Sequence, residues 1–124
     1  MREIKFRAKT IEGIWVYGYY FYSELEDKHY IAGESKYYDF QMMEVKKETV
    51  GQYTGLKDKN GKEIYEGDII QSDDYDIGGK NVVEFKNGEF LQKDDKGDYW
   101  CISPDIFKTE ILGNIYENKN LLTK

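Results

Sequence analysis

The sequence predicts a mainly β chain, a β-rich α+β fold with an SH3-like small barrel in its C-terminal half and a β-rich N-terminal part. Three observations predict it. Twelve Tyr, six Phe and two Trp stand beside a single Pro, and aromatic and β-branched side chains favour strands, where a bulky ring packs on a pleated surface. Few segments repeat apolar residues at helical spacing. In the second half, short alternating runs are separated by tight turns, the spacing of a small barrel. A chain of 124 residues fits one compact unit. We divide it into an N-terminal part, 1–54, and a barrel part, 55–124, short enough to share a core.

The first strand is expected over Glu3–Lys9, where Ile4, Phe6 and Ala8 alternate with charged residues. Glu12-Gly13 supplies a turn, and Ile14–Tyr22, "IWVYGYYFY", pairs back as a hairpin. Neither face of this strand is polar: Trp15, Tyr17, Tyr19 and Phe21 lie on one side, Val16, Tyr20 and Tyr22 on the other. A strand with two apolar faces is usually covered on both. Its own core covers one face. Either a second subunit covers the other, taken to be the Tyr20 and Tyr22 face, or residues 30–48 fold over it.

After the charged connection Glu24–Lys28, "HYIAG", "YYDFQMMEV" and "ETVGQYTG" are further strands. Asn60-Gly61 predicts a two-residue type I′ hairpin, whose central positions both need positive φ; Leu56 then faces Ile64-Tyr65. "GDIIQ" is a strand, "DDYDIGG" a polar loop, and "NVVEF" turns at Asn87-Gly88 into "EFLQ". "DDKG" turns into "DYWCIS". Ser103-Pro104 reads as an N-cap followed by proline at the first helical position, with a helical turn over "PDIF". A strand over Glu110–Tyr116 closes the chain. "ETVGQYTG" and "TEILGNIYE" share a short echo that chance accounts for about as well as reuse of one strand type.

The formal charge of −6 and pI near 4.9 argue against sequence-independent nucleic-acid binding, which rests on Lys and Arg neutralising phosphates. The single Cys101 excludes an internal disulfide and suits a reducing compartment. "MREIKFRAKT" has no apolar signal core, and no window approaches the ~20 apolar residues of a membrane span. The expectation is a cytoplasmic protein with no membrane partner.

"QYTGLKDKNGKEIYEGDII", Gln52–Ile70, invites a phosphate-loop or calcium-loop reading and fails both. Five residues, not four, separate Gly55 from Gly61-Lys62, and Glu63 stands where the magnesium-binding hydroxyl belongs. Counted from Asp58, the fifth calcium-loop position is Lys62 and the twelfth is Ile69, so the bidentate Glu is missing. From Asp74 the twelfth residue is Phe85. Asp73, Asp74 and Asp76 could hold a cation weakly, but a solvated acidic loop is the plainer reading. His29 and Cys101 are the only residues of their types, which cannot supply a usual zinc site. Cys101, beside Trp100, is expected as a buried structural thiol. No carboxylate pair is marked out for catalysis. We expect no catalytic residues, no metal and no cofactor. For Trp15, Tyr17, Tyr19, Tyr20, Phe21 and Tyr22, core packing and an oligomer interface are the leading readings. Stacking on single-stranded nucleic acid is weaker, because no Lys or Arg is interleaved.

"REIKFRAK", "TVGQYTGLKDKNGKEIYEGDII" and "ILGNIYEN", in this order and at these distances, resemble the YopX-like family of phage and prophage proteins. The likeness covers nearly the whole chain. It departs at "RAK", where relatives often carry a Trp after the Ala, and residues 23–48 follow no family pattern. The resemblance implies an SH3-like barrel in the second half, homo-oligomeric assembly, and no catalytic residues to carry over. It implies a structural signature in Gly55, Asp58, Asn60, Gly61, Glu66, Gly67, Asp68, Gly113 and Asn114. Gly67-Asp68 would set the turn into the first barrel strand, and Glu66 would bond backbone there. Two functions follow as expectations. One is a non-enzymatic phage accessory protein, oligomeric and binding a phage or host protein. The other is a nucleic-acid-associated small β-barrel, by fold-level analogy alone.

Overall fold

The computed structural model describes residues 3–72, 79–102 and 109–122. The chain divides into two compact units, Met1–Tyr53 and Thr54–Lys124, and is mainly β, built from two antiparallel sheets.

The first unit holds β1 (Phe6–Lys9), β2 (Trp15–Ser23), β3 (Lys28–Ser35) and β4 (Gln41–Val45), then a 3₁₀ turn at Lys47–Thr49 and the start of β5 (Gly51–Lys57). Their order in the sheet is β4-β3-β2-β1-β5. The expected first hairpin forms, with Ala8 opposite Val16. Its turn is closed by Gly13 N–H on the Thr10 carbonyl at 2.8 Å and Ile14 N–H on Thr10 Oγ1 at 3.1 Å. The pairing of β2 with β3 and β3 with β4 brings Val16, Ile31, Met43 and Val45 to the same face as Ala8. These five are the buried core, with Phe6, Ile14, Tyr20 and Val50 packed against them. An isolated bridge, Thr10 to Val45, ties the end of β4 to the residue after β1.

This register corrects which face of β2 is covered. Tyr20 belongs to the core side, and its hydroxyl oxygen lies 2.6 Å from Nδ1 of His29. The face that the unit leaves open carries Tyr17, Tyr19 and Phe21. Residues 28–45 extend the sheet edgewise instead of folding across it, and Ile31, Met43 and Val45 complete the Val16 side.

At Gly18 and Gly33 the backbones of β2 and β3 come closer than side chains permit. A Cβ on Gly33 would collide with the Tyr17 carbonyl, and one on Gly18 with the Ala32 carbonyl. Glycine at both positions is what allows this approach.

The second unit contains the end of β5 and β6 (Glu63–Tyr65), followed by β7 (Asp68–Ser72), β8 (Lys80–Lys86), β9 (Glu89–Lys93), β10 (Tyr99–Cys101) and β11 (Thr109–Asn114). A 3₁₀ turn follows at Lys119–Leu122. The five later strands form one sheet in the order β10-β9-β8-β7-β11. Among the described residues neither sheet is closed. Ile64, Ile70 and Val83 are buried together, with Leu56, Ile102 and Ile111 against them. Two amides are buried as well: Asn81 Nδ2 donates to Gln92 Oε1 at 3.0 Å, and Gln92 Nε2 to the Cys101 carbonyl at 3.1 Å. The expected helical turn over "PDIF" and the acidic loop with Asp73, Asp74 and Asp76 lie outside the described residues.

The two Asn-Gly turns differ. Asn87 and Gly88 have φ of 52° and 83°, as a type I′ turn requires. At Asn60-Gly61 only Gly61 is positive, at 83°. Asp58 N–H donates to the Lys62 carbonyl and Gly61 N–H to the Asp58 carbonyl, which makes a three-residue loop with glycine in the left-handed position. The expected type I′ turn is therefore not used. Asp58 Oδ1 accepts from both Asn60 N–H and Lys62 N–H at 2.9 Å, and this side-chain acceptor selects the longer loop. Asp94 makes the same bonds to Lys96 and Asp98.

Candidate protein-interaction face

The alternation of strand side chains sorts the first unit's residues into two faces. Opposite the core lie Trp15, Tyr17, Tyr19 and Phe21 of β2. Their register partners bring Tyr30, Ala32 and Glu34 of β3 and Met42 and Glu44 of β4 to the same side. Arg7 and Lys9 of β1 pair with Tyr17 and Trp15. Tyr19 is 66% exposed and Met42 59%. Tyr17 and Phe21 are also exposed, as is Phe40 just before β4.

Local contacts fix parts of this surface. Phe21 and Tyr30 stack with ring centroids 5.3 Å apart. Tyr30 donates to Glu26 Oε1 at 2.9 Å, and that bond holds its hydroxyl proton and raises its pKa. The Arg7 guanidinium lies 4.8 Å and the Lys9 ammonium 5.6 Å from the Trp15 ring centroid. Lys28 pairs with Glu44 at 3.7 Å. Among these residues is a depression of about 380 Å³, lined by Tyr17, Tyr19, Ala32, Phe40, Glu34 and Lys5, with the Gly18 and Gly33 backbone and Glu3, Ile4 and Ser35 completing it. No sequence signal marks Ala32 or Phe40 as part of it, because their neighbours are set by pairing across three strands.

The structure thus separates the six aromatic candidates. Tyr17, Tyr19 and Phe21 share the open face with half-buried Trp15, while Tyr20 packs inward. Tyr22 lies on the core side but near the strand end, exposed, donating to Asp27 Oδ1 at 2.6 Å; this bond raises its pKa.

The signature residues gather in the second unit and act on backbone. Asp58 is buried; its Oδ2 accepts from Ile111 N–H of β11 at 3.0 Å. Burial opposes its ionisation, but the bonds from Ile111, Lys62 and Asn60 outweigh this and hold the carboxyl below its usual pKa. Asp68 is buried and accepts from Tyr65 N–H at 2.8 Å. Asp68 thus ties its side chain to backbone at this turn. Gly67 donates to the Val83 carbonyl and accepts from Ile115 N–H. Asn114 Oδ1 accepts from Tyr116 and Glu117 N–H, while Asn118 Oδ1 accepts from Asn114 N–H. Gly113 leaves room for the Asn118 side chain. Gly55 lies exposed in β5.

The expected buried thiol is corrected: Cys101 is exposed on β10, an edge strand. Among the described residues no three His, Cys, Asp or Glu side chains gather to hold a metal ion, and no helix is long and apolar enough to cross a membrane.

The family model described as YopX protein matches residues 5–123. The chain belongs to the YopX family. This YopX-family chain is also similar to a solved structure described as the crystal structure of protein EF1440 from Enterococcus faecalis. The likeness has a TM-score of 0.64 at 25% identity, covering 99% of this chain and 100% of that one. Comparison with curated proteins finds no match.

Proposed function

We propose that this YopX-family chain is a non-enzymatic accessory protein of phages and prophages, working in the bacterial cytoplasm as an oligomeric protein-interaction module. Its contact surface is the outer face of β2, β3 and β4. One observation carries the reading: Tyr17, Tyr19, Phe21, Phe40 and Met42 are all exposed on one side of one unit. Monomers rarely expose contiguous apolar patches beyond a few hundred Å², and Tyr, Phe and Met are enriched where proteins meet. The phage setting rests on the sequence resemblance. In this reading the second unit is an SH3-like small barrel; a meander whose last strand returns beside its first, β10-β9-β8-β7-β11, supports that.

Nucleic acid is the second reading, because the register adds Arg7 and Lys9 to the aromatic face. Both cations sit over Trp15, and Arg7 is only 7% exposed. They serve the packing of the sheet better than they would a phosphate track.

Hydroxyl-radical footprinting at two protein concentrations tests the proposal. Tyr19 and Met42 should be protected in the concentrated sample and reactive in the dilute one, while exposed Leu25 in the β2–β3 turn reacts equally in both. Equal reactivity of Tyr19 and Met42 at both concentrations would contradict it.

A further inference from the structure

We propose that the depression on the outer face binds a cationic side chain: the guanidinium or ammonium of an arginine or lysine in a basic segment of a partner protein. This rests on the reading of that face as a contact surface, and it names the chemistry of what enters it. Tyr17 and Tyr19 are two residues apart on β2, so their side chains leave the sheet on one side about 6.6–6.8 Å apart. Opposite Tyr19 on β3 stands Ala32, and opposite Ala32 on β4 stands Met42. Beside the Tyr19 ring, the single methyl of Ala32 leaves a hollow. Phe40, next to Gln41, contributes a third ring to the lining. The result is about 380 Å³ whose lining includes the aromatic residues Tyr17, Tyr19 and Phe40 together with Ala32, Gly18 and Gly33.

The charges choose the ligand. Glu3 and Glu34 against Lys5 leave the lining one negative charge in excess. Lys5 is engaged with Glu3 at 3.6 Å and lies 5.4 Å from the Tyr53 ring centroid. Glu34, opposite Tyr17, is exposed. Ring faces are the negative part of an aromatic quadrupole and attract cations, and a carboxylate beside them adds a charge-assisted hydrogen bond. An anion would be repelled by both, and an apolar side chain would leave the carboxylate unused. The formal charge of −6 raises the local concentration of basic segments in the same sense. Phe21 and Tyr30 are not among the lining residues, so self-association can be weakened at that stack without altering the depression.

The test titrates the full chain, and its Phe21→Glu variant, with an octapeptide of alternating arginine and glycine, followed by backbone amide shifts in NMR spectra. The same peptide with citrulline for arginine is the uncharged control. Saturable shifts centred on Ala32, Gly33 and Glu34 are expected with arginine and not with citrulline. Glu34→Gln and Tyr19→Leu should each weaken binding about five- to thirty-fold. Glu12→Gln, which removes an exposed acid from the β1–β2 turn, should leave it unchanged. Equal binding of the citrulline peptide overturns the site. So does equal weakening by Glu12→Gln and Glu34→Gln, since that is diffuse charge attraction. A wild-type chain that is monomeric by light scattering and still binds the arginine peptide at these residues overturns self-association alone. An assembled wild type whose dissociated Phe21→Glu form binds no peptide overturns the cation site alone.

Discussion

Replacing Asp58 with alanine removes one acceptor from three backbone donors at once. Asn60 and Lys62 are exposed, so their freed N–H groups pass to water. Ile111 lies in β11, fifty-three residues away in sequence, and its bond to Asp58 Oδ2 is partly buried. A hydrogen bond to a charged group contributes about 1.5–3 kcal/mol, and a buried donor left unpaired costs about 1–3 kcal/mol. With the loss of turn geometry added, Asp58→Ala should destabilise the protein by about 3 kcal/mol. At this chain length that lowers Tm by about 12 °C. Asp94→Ala breaks the same turn bonds and the bond from Trp100 Nε1. Its site is at the surface, so its effect should be smaller. The pH dependence has a fixed sign. The folded carboxyl of Asp58 has a depressed pKa, so its contribution is present above the unfolded value of about 3.9 and is lost as pH falls through the folded value. Stability should therefore fall less steeply below about pH 4 in Asp58→Ala than in wild type. Calorimetry across that range is the assay. An Asp58→Ala protein that melts no lower than Asp94→Ala would refute the reasoning.

Gly61→Val should cost roughly 1–3 kcal/mol, because the left-handed φ of 83° resists a β-branched residue; no other atom crowds the position, so unchanged thermal unfolding would mean that the loop adopts a different turn. Gly33→Ala should leave little folded protein, since its Cβ meets the backbone of β2; wild-type yield and melting would show that β2 and β3 do not approach as described. Tyr20→Phe should lower stability by about 1 kcal/mol through loss of the contact with His29; a melting curve that overlays wild type would show that the contact contributes nothing.

The first hairpin and the Asn87-Gly88 turn were legible because each is specified locally, by alternation in one and by two positive-φ residues in the other. Asn60-Gly61 has the same dipeptide, but the acceptor that decides its turn is Asp58, two residues upstream, which also reaches β11. The covered face of β2 was not legible. Both faces are apolar, and the choice is made by Ile31, Met43 and Val45, whose positions depend on the register of β3 and β4. The depression was hidden for the same reason: Tyr19 and Ala32 are neighbours only through the pairing of β2 with β3, and Phe40 joins them from beyond β3. Cys101 misled because its apolar surroundings suggest burial, while its place on β10 at the sheet edge leaves it exposed.

Light scattering behind a sizing column, at about 50 μM, tests the proposed contact face most directly, since an interface of standard size usually holds at that concentration. The account predicts a wild-type mass of at least twice the 14.7 kDa chain, and a shift towards one chain in Tyr19→Glu but not in Lys59→Glu, whose side chain lies in the 58–62 turn of the other unit. A wild-type protein that elutes at the mass of one chain would contradict it.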